Sequence, residues 1–384
     1  MSPSVSGTYD VVIIGAGVQG LAAAYNLARG GCRRVLVLER EARPGMGSSA
    51  RSGSMLMKSR ENAPKVALSL YSYERYMTFS DEFGEPLQFR RTGFVSAVPP
   101  DLADRYLAMH RTRTDMGVPS EVVDPSALSK MSPALRVEDL AFGLYCPDDG
   151  EIDVAQIVGA FARHATALGV ELATGETAVG LEVRGGRVTA VRTTRGVYPC
   201  AVVVNAAGAD AAEVAAWAGL SLPIDNRRRS IFLGTCEDPR LQVGPMVEDA
   251  AVEWYFRGLG GRRVLVGMGK EPTGAPGDEP DWAMLPDVRR VAAHRAPTLE
   301  RIEVVAGSSG IRSLTPDLLP ILGPAEGVDG MILSCGWGGE GIMHAPAGGA
   351  VVADTVLGSR SYPYDRDEFM LSRFATQSTS GGYE

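Results

Sequence analysis

The feature that most constrains the fold is a glycine-rich turn that follows an apolar run near the start of the sequence. The run Tyr9–Ile14 leads into Gly15-Ala16-Gly17-Val18-Gln19-Gly20, and a helix-compatible stretch follows at 21–28. In such a turn the first glycine permits the tight bend, the second lets the backbone meet a pyrophosphate, and the third allows close helix–strand packing. The pattern predicts a strand–turn–helix unit that binds a dinucleotide.

A second apolar run ends in an acidic residue at the spacing that this unit requires. The strand-like segment 34–38 is followed by Glu39, about 20 residues after the turn. A carboxylate at this position accepts hydrogen bonds from ribose hydroxyls and disfavours a 2′-phosphate. We therefore count Glu39 and its neighbour Arg40 as cofactor-binding candidates, although this unit alone does not distinguish FAD from NAD.

Two more glycine-rich segments lie far along the chain. Asn205-Ala206-Ala207-Gly208 follows the apolar run 201–204, and the segment 336–341, which has four glycines in six residues, follows the run 331–334. A strand-to-helix turn needs only about one or two glycines, so close approach of the backbone to a ligand is the better interpretation. Three such turns favour a dinucleotide held from both ends, which indicates a flavin rather than a nicotinamide.

Composition excludes several classes of protein. The chain has 384 residues and a net charge of −8, and none of its basic runs is dense enough for a nucleic-acid surface. The densest basic cluster, Arg227–Arg229, is predicted to be a solvated loop. Five scattered cysteines without a Cys-x-x-Cys pair argue against disulfides and zinc, so we expect no metal site. Without a signal-peptide pattern or a run long enough to span a bilayer, we expect a cytoplasmic protein with no membrane span; its oligomeric state stays open.

Six motifs together resemble the flavoprotein superfamily of D-amino-acid oxidase, glycine oxidase and sarcosine oxidase, over most of the chain. They are the first glycine-rich turn, the segments 47–53 (GSSARSG), 149–153 (DGEID) and 205–208 (NAAG), the pair 310–317 and 320–323, and the segment 336–341. As a set they are specific for the superfamily, but they do not single out one member.

The resemblance implies FAD as the cofactor. It implies that the loop Ser48–Met55 lies near the pyrophosphate and the isoalloxazine, Ala178 near the adenine, and the segment Gly338–Ile342 at the flavin ring. The full set of predicted cofactor-binding residues is Gly15, Gly17, Val18, Gln19, Gly20, Glu39, Arg40, Ser48, Ser49, Arg51, Ser52, Gly53, Ser54, Met55, Ala178, Ala206, Ala207, Gly208, Gly338, Gly339, Glu340, Gly341 and Ile342.

Arg312 is the main catalytic candidate. In glycine and D-amino-acid oxidases the arginine of a matching Gly-x-Arg stretch binds the substrate carboxylate, and a guanidinium matches a carboxylate bidentately. A structural ion pair is the alternative. Tyr255 and Trp337 are further candidates for the wall of the substrate pocket, although both could equally be core aromatics. His344 could be a base, but a core or surface histidine is the simpler interpretation.

Three departures from the family pattern bear on the chemistry. Gly310 stands where sarcosine oxidases with covalent FAD carry a cysteine, so we predict non-covalent FAD. Met343 stands where those oxidases use a lysine for the substrate carboxylate, and Leu265 stands where they use a lysine for oxygen. These two residues leave the electron acceptor open.

The predicted fold class is α/β, with a Rossmann-like FAD-binding domain interleaved with a β-rich α+β substrate domain. We assign residues 1–85, 144–220 and 306–384 to the discontinuous FAD-binding domain and residues 86–143 and 221–305 to the substrate-binding domain. Within these, 183–194 is predicted to form a hairpin and 99–132 to be helical.

The expected function is oxidation of the C–N bond of an amino acid or N-substituted amino acid. Hydride would pass to flavin N5 and give an imine, with the substrate held by its carboxylate. One alternative is a dehydrogenase, or a subunit of one, that passes electrons to a quinone or a protein. Another is a non-catalytic flavin-binding subunit. A nicotinamide-only dehydrogenase is disfavoured by the second and third glycine-rich segments.

Overall fold

The computed structural model describes residues 7–269 and 279–375. Both ends of the predicted FAD-binding domain, residues 1–6 and 376–384, therefore lie outside the described residues. Within them the strands are β1 (Tyr9–Ile14), β2 (Val35–Glu39), β3 (Met55–Leu56), β4 (Phe89–Arg90), β5 (Phe94–Val98), β6 (Glu121–Val123), β7 (Phe142–Cys146), β8 (Gly150–Ile152), β9 (Glu171–Thr174), β10 (Ala178–Arg184), β11 (Arg187–Thr193), β12 (Val197–Asn205), β13 (Asp225–Thr235), β14 (Met246–Asp249), β15 (Trp254–Gly260), β16 (Arg263–Met268), β17 (Glu303–Leu314), β18 (Ile321–Pro324) and β19 (Met331–Cys335).

The α-helices of the described residues range from 5 to 15 residues in length. They are α1 (Val18–Arg29), α2 (Ala63–Met77), α3 (Phe79–Phe83), α4 (Ala103–Asp115), α5 (Pro125–Met131), α6 (Val154–Ala167), α7 (Ala211–Ala216), α8 (Leu285–Arg295) and α9 (Ala345–Leu357).

The first sheet is built around the predicted dinucleotide-binding unit. Strand β1 pairs in parallel with β2 on one side and with β12 on the other, and β12 pairs in parallel with β19. Strand β9 extends the sheet beyond β2, and the hairpin β10–β11 adds an antiparallel edge. The helices α1, α6 and α9 share one apolar core against this sheet. The predicted α/β class, the strand–turn–helix unit and the hairpin at 183–194 are confirmed.

The second sheet has the order β17-β13-β16-β15-β14-β5-β7-β6. Its longest pairing joins β13 to β17 in antiparallel register, with Arg227 opposite Arg312 and Arg229 opposite Gly310. The prediction that Arg227–Arg229 form a solvated loop is therefore wrong, because cross-strand pairing with β17 holds all three in an inner strand. Similarly, β6 interrupts the segment that was predicted to be helical.

A short third sheet, β3-β8-β4, contacts both larger units: Met55 and Ile152 belong to the apolar core of the first sheet, and Glu151 forms an ion pair of 3.1 Å with Arg257 on β15. The first sheet draws its strands from residues 9–39, 171–205 and 321–335, and the second from 94–146 and 225–314. The chain thus passes several times between the two sheets. The domain limits that we assigned from the sequence stay a prediction.

Candidate active site

The first two glycine-rich segments contact each other at the carboxyl ends of β1 and β12. Gly15 has a φ of +105°, and a Cβ on it would lie 2.4 Å from the carbonyl oxygen of Ala206. A Cβ on Gly20 would lie 2.0 Å from the carbonyl oxygen of Gly15. Gly17 is the N-cap of α1. Because side chains cannot fit at Gly15 and Gly20, both glycines are required for this turn.

The acidic residue after β2 holds the same turn. Glu39 is buried, and its two carboxylate oxygens accept hydrogen bonds from the backbone N–H groups of Ala16 (2.8 Å) and Glu41 (2.9 Å). Arg40 forms an ion pair of 2.7 Å with Asp210, next to the second glycine-rich segment. Ala178 begins β10, two residues after Glu176, whose N–H donates to the carbonyl of Glu39. These residues therefore lie at one end of the predicted dinucleotide site.

The loop 48–55 joins the start of α1 to the second sheet. The hydroxyl of Ser49 accepts a hydrogen bond of 3.1 Å from the N–H of Val18, and the hydroxyl of Ser48 donates to the carbonyl of Ile311 at 2.8 Å. Arg51 packs over Gly310: a Cβ added to Gly310 would lie 3.1 Å from the Cβ of Arg51. The remaining members of this loop among the candidates are Ser52, Gly53, Ser54 and Met55.

The third glycine-rich segment contacts both the start of α1 and strand β17. The side-chain amide of Gln19 donates to the carbonyl of Gly341 at 2.8 Å, and the N–H of Gly338 donates to the carbonyl of Ser313 at 3.0 Å. The guanidinium carbon of Arg312 lies 2.6 Å from where a Cβ of Gly339 would be. The main catalytic candidate is thus in contact with a predicted cofactor segment.

These residues fit a bound dinucleotide. The N-terminus of α1, where N–H groups and the helix dipole favour a phosphate, opens between the glycine turn and Ser49. Two buried polar atoms beside it, Gln19 Oε1 and Trp337 Nε1, have no hydrogen-bond partner among the described residues. The indole of Trp337 lies against Gly348 on α9, so it sits with the cofactor segments. Its predicted role in the substrate pocket stays a prediction.

A buried charge network, which the sequence did not predict, adjoins the third glycine-rich segment. The carboxylate of Glu340 forms ion pairs with Arg60 and with Lys65 (2.9 Å), and the ring of His344 approaches it at 3.7 Å. Burial opposes ionisation of Glu340, but Arg60 and Lys65 outweigh it and hold its pKa below the usual range. Its side chain is therefore engaged with α2 and the residues before it, while its predicted contact with the cofactor stays a prediction.

His344 is enclosed rather than poised for proton transfer. Its side chain is 1% exposed, its Nε2 is 2.8 Å from the hydroxyl of Ser69, and burial lowers its pKa to about 3. The imidazole is therefore neutral near pH 7, and the core interpretation fits it best. Similarly, the carbonyl of Ile342 accepts a hydrogen bond of 2.5 Å from the hydroxyl of Tyr76.

The face of the second sheet that is turned towards the loop 48–55 carries the other candidates. Tyr255 is buried there in an apolar cluster with Ile231 and Leu265, and a Cβ on Gly53 would lie 3.8 Å from Ile231 Cδ1. Opposite Tyr255 in the register is Glu248. Burial, with the negative charges of Glu253 and Glu61, raises the pKa of Glu248 to about 7. A carboxyl group that titrates near neutrality was not expected from the sequence, because neighbouring strands create its surroundings.

A cavity of about 980 Å³ borders the other side of the loop 48–55. Its lining includes Met46, Ser54, Phe89, Glu151 and Val158. Neither Arg312 nor the first glycine-rich turn lines it. The cavity therefore adjoins the predicted cofactor site at the loop 48–55 but does not extend to Arg312 or to that turn.

Two classes of feature are absent from residues 7–269 and 279–375. No helix there is long and apolar enough to cross a membrane. The same residues contain no cluster of three or more histidine, cysteine or acidic side chains arranged to hold a metal ion.

Comparisons with known proteins bear on the family and the fold. The family model described as FAD dependent oxidoreductase matches residues 10–355. The glycine oxidase of Geobacillus kaustophilus is 29% identical over 95% of this chain and 97% of that protein. Its crystal structure superposes with a TM-score of 0.84 at 27% identity, covering 96% of this chain and 99% of that one.

Two mouse proteins are similar to the chain but much longer. The mitochondrial pyruvate dehydrogenase phosphatase regulatory subunit of Mus musculus is 27% identical over 97% of this chain, and the mitochondrial sarcosine dehydrogenase is 28% identical over 96%. The matches cover only 44% and 42% of those proteins. The matched family model extends over all three glycine-rich segments and Arg312. The chain therefore belongs to the DAO family of FAD dependent oxidoreductases.

Proposed function

We propose that this protein oxidises the C–N bond next to the carboxylate of an amino acid or N-substituted amino acid, giving an imine. The observation that carries the proposal is the contact between Arg312 on β17 and Gly339. A carboxylate bound by Arg312 would be held beside the cofactor segment, and its α-carbon would be positioned for reaction. One of the relatives is named glycine oxidase, and glycine is an amino acid of this kind.

The chain's residues support non-covalent FAD. The start of α1, Glu39, the loop 48–55 and the segment 338–341 would hold it, and when bound it would accept hydride at N5. Gly310 offers no nucleophile. Cys335 is fully buried, and burial raises the pKa of its thiol to about 12, so the reactive thiolate is not formed near pH 7.

Positioning accounts for the catalysis that we propose. Arg312 binds the carboxylate through its fork of donors, while the apolar cluster around Tyr255 excludes water from the reacting carbon. Reaction from the neutral amine requires no dedicated base, and His344, buried and hydrogen-bonded to Ser69, is not available as one.

The electron acceptor has two candidates. Oxygen is the acceptor implied by resemblance to the oxidases. A quinone or protein acceptor is favoured by one observation: Leu265 is a buried apolar residue where those oxidases use a lysine for oxygen. A mitochondrial dehydrogenase and a regulatory subunit are also among the relatives, so the non-catalytic alternative needs its own test.

Anaerobic bleaching of the bound flavin by a panel of D-, L- and N-alkyl amino acids tests the proposal. We expect at least one to bleach it, and we expect Arg312→Gln to raise the concentration required by about 100-fold, because bidentate charged hydrogen bonds contribute a few kcal/mol. Arg228→Gln is the matched control, since Arg228 lies on the opposite face of β13.

The outcomes are distinct. If no amine or amino acid bleaches the flavin and Arg312→Gln changes nothing, the protein is better interpreted as a non-catalytic flavin-binding subunit. If bleaching occurs, mixing the reduced protein with air decides the acceptor: fast reoxidation indicates an oxidase, and slow reoxidation indicates a dehydrogenase. Release of FAD on denaturation with acid checks that the cofactor is not covalent.

A further inference from the structure

The register of the second sheet brings arginines together that the sequence alone leaves apart. Arg227 is opposite Arg312, and Arg229 is opposite Gly310. Residues opposite each other in an antiparallel pair lie on the same face, and alternate residues along a strand share that face. Arg227, Arg229 and Arg312 therefore share one face, whereas Arg228 lies on the other.

The three arginines of β13 differ in their ion pairs. Arg227 Nε is 2.8 Å from a carboxylate oxygen of Asp225, and Arg228 is 3.4 Å from Asp281. Arg229 makes no ion pair with a carboxylate of residues 7–269 or 279–375; its guanidinium carbon lies 6.0 Å from the ring centroid of Tyr255. The face that holds Arg312 therefore also carries Arg229, a guanidinium with no carboxylate partner within residues 7–269 and 279–375.

The surroundings make that charge available to a ligand. Arg229 is half-buried, and it lies between Arg312 and the apolar cluster of Tyr255 and Ile231. The loop 48–55 covers the same face, because Arg51 packs over Gly310 and Gly53 faces Ile231. In such surroundings a charge attracts an opposite charge more strongly than it does in water.

We propose that the substrate carries a second carboxylate, which Arg229 binds while Arg312 binds the α-carboxylate. Diagonal neighbours in an antiparallel pair are about 7–8 Å apart, which lets two guanidinium groups hold opposite ends of one small molecule. The substrate class is thus an acidic amino acid or an N-carboxymethyl amino acid. This inference rests on the proposed function and adds to it the charge of the side chain or N-substituent.

Matched pairs of compounds test the inference on the FAD-loaded protein. Aspartate and glutamate, as D and L forms, are compared with asparagine and glutamine, and iminodiacetate with sarcosine, by anaerobic flavin reduction. We expect the dicarboxylates to reduce the flavin at lower concentrations. We expect Arg229→Gln to raise KM for them by about 10- to 100-fold, with a change of less than about threefold for the neutral partners.

Two variants and a binding measurement keep the test decisive. Arg229→Lys retains the charge and should recover part of the preference, and Arg228→Gln should leave it unchanged. Perturbation of the oxidised flavin spectrum by the unreactive succinate, compared with butyrate, reports binding without turnover. FAD content and thermal unfolding identify any variant that fails to fold, in which case Arg229→Lys alone decides.

Each outcome has one meaning. Equal use of charged and neutral partners, or an equal loss for both in Arg229→Gln, overturns the inference and leaves the proposed function intact; Arg229 then only packs on Tyr255. If no compound bleaches the bound flavin, the proposed function fails, and the substrate inference fails with it.

Discussion

The two faces that meet at the candidate site are specified in different ways. On the cofactor side, backbone shape is decisive: Gly15 and Gly20 are required because other backbone atoms occupy the space of a side chain. On the proposed substrate side, the proposed recognition depends on side-chain charge: Arg229 and Arg312 become neighbours only through the pairing of β13 with β17. Backbone requirements leave motifs in the sequence, whereas cross-strand neighbours leave none.

The largest effect on FAD binding should come from the backbone side. Gly20→Ala places a Cβ 2.0 Å from the carbonyl oxygen of Gly15, so we expect loss of bound FAD and a destabilisation of about 1–3 kcal/mol, although alanine favours helix. Visible flavin absorbance after gel filtration and thermal unfolding measure both effects.

Substitutions at two other glycines distinguish a loss of packing from a loss of space for the ligand. A Cβ on Gly17 would meet only Ser49 Oγ, at 3.6 Å, so Gly17→Ala should fold normally but bind FAD more weakly. Gly47→Ala has open space at its Cβ and should change neither property. If Gly20→Ala retained FAD and stability, the contrast between the two faces would be lost.

The charge network at Glu340 is an exception to the contrast, because it places side-chain charge on the cofactor side. Among the described residues, Glu340→Gln leaves the exposed Glu61 as the only carboxylate in an ion pair with Arg60 and Lys65. We expect a destabilisation of about 3–5 kcal/mol in urea unfolding, since a broken buried ion pair leaves an uncompensated charge. Glu61→Gln, on a side chain that is 41% exposed, should cost less than about 1 kcal/mol.

The lowered pKa of Glu340 also gives a pH dependence. Its stabilisation is fully present above 4.5, the ordinary pKa, and is lost as the pH falls below that value. The stability difference between the wild type and Glu340→Gln should therefore shrink on acidification. A difference that stays constant between pH 7 and pH 3 would contradict the ion-pair assignment.

The sequence predicted the fold class and the glycine turn, whereas the cofactor-binding roles of the residues around that turn stay a prediction. The turn, Glu39 and the hairpin at 183–194 depend on local spacing, which periodicity and glycine positions reveal. Arg227–Arg229 were wrongly predicted as a loop, because three adjacent charges resemble a solvated segment and only the partner strand β17 explains them. Arg60, Lys65 and Glu248 were missed for the same reason: residues distant in sequence create their surroundings.

The smallest effect belongs to Glu248 on the substrate side. Its pKa is raised to about 7, so the stability contribution of the neutral acid is complete below 4.5 and is lost as the pH rises through 7. Glu248→Gln should therefore match the wild type at pH 5 and be about 1–2 kcal/mol more stable at pH 8. Thermal unfolding at the two pH values measures this, and an equal difference at both would show that Glu248 is not a buried acid.

The arrangement of the first sheet has a consequence for how the protein is made. Strand β1 lies beside β12, and β12 lies beside β19, so neighbours in the sheet are separated by more than a hundred residues of chain. Pairings at such long range form slowly. The ribosome delivers residues 331–341 long after β1 and α1, so an early nascent chain has half of a nucleotide site and nothing to close it. Flavin should therefore bind late in folding. Added FAD should accelerate the final phase of refolding more than it accelerates the first phase.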